Sequence, residues 1–143
     1  MRHIFGCTII VMDNDKKTVL LVEDDQSIRE LFAVAFIKAG LNIIMAENGK
    51  QGVDFALKHH PDLILLDIDM PIFNGHQTAE KIRQDAWGKT ARILFLTNHS
   101  DAQNVAHAIM QKPEDYIIKA NVPVKEIVNQ VRTAIYGISK TQL

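Results

Sequence analysis

Acidic, hydroxyl and ammonium side chains recur in this chain where short apolar runs end. The run at 18–22 leads into Glu23, Asp24 and Asp25, and the run at 62–66 into Asp67, with Asp69 two residues on. The run at 92–96 leads into Thr97 and Asn98, and that at 116–118 into Lys119. Taken singly, an Asp after an apolar run is a turn former or helix cap, and a Lys there reaches out to water. Taken together they suit one site. Two unit charges ~5 Å apart repel by roughly 3 kcal/mol at an effective dielectric of ~20, so Glu23, Asp24, Asp67 and Asp69 in one place need a cation. A few carboxylates plus water suit Mg²⁺, a hard octahedral ion that works on phosphate. Thr97 and Lys119 add a hydroxyl donor and a positive point charge, the usual parts for holding phosphoryl oxygens.

The elements that would position these residues follow from periodicity. The runs at 18–22, 42–46, 62–66, 92–96 and 116–118 are nearly continuously apolar and rich in Val, Ile and Leu, as expected of parallel strands covered on both faces. Segments of helical period separate them. Over 27–39, Ile28, Leu31, Phe32 and Ala35 share one face, and Gly40 supplies a stop. Over 124–136 the stripe is Val124, Ile127, Val128, Val131 and Ile135, between Pro123 and Gly137. Helices also fit 50–59, 76–85 and 101–111. Five β–α repeats with right-handed crossovers predict a doubly wound α/β domain, with its site at the carboxyl ends of the strands. Glu47, Asn48 and Gly49, after the second strand, read as an ordinary turn and cap. His59 and His60 read as complements of a helix dipole, and Trp87 with Gly88 as a packed loop.

Composition narrows the class. The chain has 143 residues, 47% hydrophobic and 23% charged, with a formal net charge of -1, which suits one globular domain. That balance lacks the basic footprint of a nucleic-acid binder. Cys7 is the only cysteine, so a reducing cytoplasm is the expected location. Residues 1–16 contain no signal-peptide h-region, and 8–12 is far shorter than the ~20 residues of a membrane span. The expected division is a flexible or loosely docked arm at 1–16, one domain at 17–138 and a short tail at 139–143.

With Val22-Glu23-Asp24-Asp25, Leu65-Leu66-Asp67-Ile68-Asp69-Met70-Pro71…Gly75, Phe95-Leu96-Thr97 and Tyr116-Ile117-Ile118-Lys119 in this order, the chain resembles the receiver (response-regulator) domains of two-component phosphorelay signalling over about 17–138. The resemblance implies a flavodoxin-like five-stranded parallel sheet in the order 2-1-3-4-5, with helices on both faces and strand 2 at an edge. It implies that Asp67 is the phosphoacceptor, Asp24 a direct Mg²⁺ ligand, Glu23 a ligand through water, and Asp69 a ligand through its backbone carbonyl. Thr97 and Lys119 match the switch hydroxyl and the phosphoryl-contacting lysine, and Tyr116 the switch aromatic. The implied function is that of a stand-alone receiver, phosphorylated by a histidine kinase or phosphotransfer protein and not a turnover enzyme. Implied partners are the phosphodonor, a target protein docking on the 101–111, 116–118 and 124–136 face, and a second copy on phosphorylation, with no nucleic acid bound directly.

Three positions depart from the family pattern: Asn74 stands where Asp is usual, Ala120 replaces a cis-proline after Lys119, and Asn98 a small residue. A haloacid-dehalogenase-like phosphatase shares the Asp67-x-Asp69 pattern but carries it on the first strand. A pseudo-receiver would lack the acceptor set, and a nucleotide-binding fold would need a glycine-rich loop after the first strand.

Overall fold

The computed structural model describes residues 2–4, 7–10, 12–70, 73–97, 116–118 and 122–137, the first two stretches and Ile118 as backbone only. The elements are β1 (Arg2–Ile4), β2 (Cys7–Ile10), β3 (Thr18–Val22), α1 (Gln26–Lys38), β4 (Asn42–Ala46), α2 (Gly49–His59), β5 (Leu63–Asp67), α3 (Gly75–Arg83), a 3₁₀ turn (Gly88–Thr90), β6 (Ile93–Thr97), β7 (Tyr116–Ile118) and α4 (Val124–Tyr136). The helix expected at 101–111 lies outside the described residues, as do Asn98, Lys119 and Ala120.

One sheet runs β1-β2-β4-β3-β5-β6-β7. Its last five strands are parallel and reproduce the expected 2-1-3-4-5 order, because apolar runs buried on both faces are stable only between two helical layers. Along β3, Val19 and Leu21 face one core with Phe32, Phe36, Ile127, Val128 and Val131 from α1 and α4. Leu20 and Val22 face the other, with Ala56 of α2 and Ala79 and Ile82 of α3.

Part of the arm expected at 1–16 joins the sheet. The expected loose arm instead contributes β1 and β2, and β2 pairs antiparallel with β4 in the register Ile9↔Ile44. β4 is therefore not the edge strand. The physical reason lies in β4 itself: all five of its residues are buried, and a bare edge there would leave a row of backbone donors and acceptors open.

Asn42, buried at the start of β4, fastens the connection from β2 to β3. Its amide donates to the carbonyls of Asp13 (2.7 Å) and Lys16 (3.3 Å) and to Thr18 Oγ1 (3.3 Å), while Oδ1 accepts from Asp13 N (3.0 Å).

Helix ends follow local chemistry. Asn48 caps α2 by accepting from Gln51 N, as its sequence suggests, and Gly40 and Gly137 take left-handed φ values of 82° and 67° just past α1 and α4. At His59, burial first and Lys58 second lower the pKa, which weakens the positive charge the ring can set against the helix dipole. His60 takes the left-handed cap position (φ 47°) and stacks on Trp87, ring centroids 4.5 Å apart.

Replacing Asn42 by Ala strips these hydrogen bonds from a buried position. It should cost about 2–3 kcal/mol, read as a lower denaturation midpoint with an unchanged slope in urea.

Candidate functional site

The site lies where β3, β5 and β6 end. Glu23 follows β3 directly, its N–H extending the ladder to the carbonyl of Ala46 at 3.0 Å. Asp67 is the last residue of β5 and Thr97 the last of β6. Since Asp67 registers with Leu96, Thr97 stands one residue further along the same rim. Glu23, Asp67 and Thr97 are only 1%, 2% and 2% exposed.

One carboxylate oxygen each from Glu23, Asp24 and Asp67 lie within 4.8 Å of one another. Ionised together at that separation, two such carboxylates would repel by about 3 kcal/mol at an effective dielectric of ~20. Asp24 is exposed and gives the cluster its solvent side. The third acid of the run does something else: Asp25 caps α1, its Oδ1 accepting from Ile28 N at 3.0 Å.

Local hydrogen bonds fix the exit of β5. Asp69 N donates to Asp67 Oδ1 at 3.1 Å, which sets the carboxylate's rotamer. Ile68 N reaches the carbonyl of Leu96 at 2.9 Å, and Gly75 N the carbonyl of Ile68 at 3.1 Å. A Cβ at Gly75 would stand 2.7 Å from the Asp67 carbonyl oxygen and 2.9 Å from Ile68 Cα, so only glycine lets α3 begin this close to the rim. Asn74, the departure from Asp, forms a reciprocal capping box with Gln77.

Of the expected site residues, Glu23, Asp24 and Asp67 come together, with Asp69 tied to Asp67. Thr97 lies on the same rim. The Tyr116 ring stacks on Phe95 at 5.1 Å, two residues before Thr97 on β6, and His76 packs on Phe95 at 4.9 Å. Lys119 lies outside the described residues.

Arg29 was not singled out by the sequence reading. Its Nη1 donates to the carbonyls of Glu23 (2.8 Å) and Asp24 (2.9 Å), and Nη2 stands 3.9 Å from Glu47 Oε2. The available signal was an arginine in the first turn of the helix that follows the acidic pair.

Residues 19–132 match the response regulator receiver domain model. The phosphate regulon transcriptional regulatory protein PhoB of Pseudomonas aeruginosa is 33% identical over 119 residues, covering 83% of this chain and 52% of PhoB. The response regulator ArlR of Staphylococcus aureus is 29% identical over 117 residues, 82% of this chain and 52% of ArlR. The chain thus spans about half the length of these curated relatives. Among solved structures, the Vibrio cholerae chemotaxis protein CheY4 aligns with a TM-score of 0.75 at 22% identity, over 83% of this chain and 98% of CheY4. The receiver domain of the Pseudomonas aeruginosa sensor histidine kinase PA1611, which holds a magnesium ion in its active-site cleft, aligns with a TM-score of 0.75 at 22% identity, over 86% of this chain and 99% of that domain. From strand order to acidic rim to sequence match, this chain belongs to the response regulator receiver domain family.

Proposed function

We propose that this receiver accepts a phosphoryl group on Asp67 in a reaction that depends on Mg²⁺. The observation that carries the reading is the meeting of Asp67, at the end of a buried strand, with Glu23 and Asp24 within 4.8 Å. All the donors are oxygen, the charge is concentrated and one side opens to water, which fits a hard, partly hydrated cation. Asp24 and Asp67 would hold it directly, Glu23 through water and Asp69 through its carbonyl. When bound, Mg²⁺ neutralises charge that develops on the transferring phosphoryl group.

In the reaction, a carboxylate oxygen of Asp67 attacks phosphorus and forms the acyl phosphate. The P–N bond of a donor phosphohistidine, or the P–O bond of acetyl phosphate, breaks with its electron pair going to the leaving group. The bond from Asp69 N to Oδ1 holds the carboxylate in position, a contribution of orientation. Thr97 and Lys119 then contact the phosphoryl oxygens.

Those contacts bias two arrangements of the face that includes Tyr116, β7 and α4. Phe95, between Thr97 in sequence and Tyr116 in space, is the natural link. The donor is a histidine kinase or phosphotransfer protein, and the signal leaves by contact with a target protein or a second copy. The reading places the chain in the cytoplasm, where Cys7 stays reduced. Among the described residues, no helix is long and apolar enough to cross a membrane. The receiver modifies only itself and does not turn over phosphate esters.

Incubation with acetyl phosphate and Mg²⁺ should add one phosphate, seen by intact-mass spectrometry and absent with chelator. The same mass gain in Asp67→Ala would sink the assignment. Asp67→Asn removes one charge from the cluster, so the metal-free protein should melt about 3–6 °C higher. Wild type should gain stability with added Mg²⁺ by mass action, and the variant should lose most of that response.

A further inference from the structure

The turn that presents Glu23 and Asp24 has no strand ladder to hold it beyond the Glu23 N–H, yet it must keep two carboxylates facing Asp67 against their mutual repulsion. Among the described residues, one side chain braces both of its carbonyls. Arg29, 14% exposed, places Nη1 on both carbonyls of the pair, at 2.8 and 2.9 Å. A charge-assisted bond of this kind is about twice as strong as a neutral one. On the far side Nη2 faces Glu47 at 3.9 Å. Gln51 in turn brackets Glu47, its Oε1 accepting from Glu47 N at 3.0 Å and its Nε2 donating to Glu47 Oε1 at 3.3 Å. One guanidinium therefore spans the β3–α1 turn and the β4–α2 turn.

We infer that Arg29 is a positioning residue for the cation site: by holding the Glu23 and Asp24 carbonyls on one side of the turn, it keeps their carboxylates on the other, ready for a divalent ion. This rests on the proposed function for the identity of the ion. The planar fork matters, because one nitrogen lies between two adjacent carbonyls while the second reaches Glu47. A lysine ammonium is a point charge on a flexible stem and would hold the turn less firmly. The ion pair to Glu47 contributes little by itself, since Glu47 is 55% exposed.

The test is a Mg²⁺ titration of the full chain followed by NMR, for wild type, Arg29→Lys and Arg29→Ala. Affinity should fall in that order, by about twofold to fourfold for Lys and about fivefold to twentyfold for Ala. Glu47→Gln should stay within twofold of wild type. Arg29→Ala binding as tightly as wild type would overturn the inference. Should Arg29→Ala fail to fold, Arg29→Lys decides: weaker binding supports the brace, and wild-type affinity overturns it. Hydrogen exchange at Asp25 N–H, which donates to Glu23 Oε1 at 3.3 Å, needs no metal and separates this inference from the proposed function. Exchange at least tenfold faster in the folded arginine variant supports the brace even if wild type binds no Mg²⁺, and unchanged protection rejects it.

Discussion

Bringing carboxylates together out of water is the constraint on which this structure turns. Glu23 and Asp67 are almost fully buried and Asp24 closes on them, an arrangement that charge repulsion opposes. Rigid elements help to hold them there. Asp67 ends a strand held on both sides by β3 and β6, and α3 presses on its carbonyl through Gly75. The acidic pair sits on a turn gripped by Arg29, with α1 starting three residues after Glu23.

The rest of the sheet serves as the frame for that rim. Its two apolar layers are divided by strand alternation, odd-numbered β3 residues to α1 and α4, even-numbered ones to α2 and α3. Strands fixed from both faces cannot slip in register without moving every side chain to the wrong layer. The rim therefore stays in register, and with it the one-residue offset between Asp67 and Thr97.

Much of this was legible because the governing signals are local. Runs such as Leu63–Asp67 announce buried parallel strands, and polar residues at their ends announce the site. What escaped depends on long-range pairing or looks ordinary on its own. Residues 7–10 join the sheet through the edge that β4 offers, and no nearby residue signals that. Asn42 resembles a flaw in an apolar run until its four hydrogen bonds to Asp13, Lys16 and Thr18 are seen. Arg29 reads as one more cation on a solvated helix face, since sequence does not tell which carbonyls a long side chain will reach. The lowered pKa of His59 escaped for the converse reason: its position at a helix end is local, but its burial is not.

The stack of His60 on Trp87 bears on how the molecule can be watched. His60 precedes β5 and Trp87 precedes β6, so the pair sits where the strands begin. The carboxylates sit where they end, a strand length of roughly 17 Å away. Trp87 is the chain's sole indole, and its excited state is in contact with an imidazole rather than with the acidic rim. Intrinsic emission therefore samples the opposite end of the sheet. A change in that emission when an ion or acyl phosphate arrives would register motion transmitted through the β-layer, and direct optical detection of the chemistry calls for a fluorophore introduced at the other end.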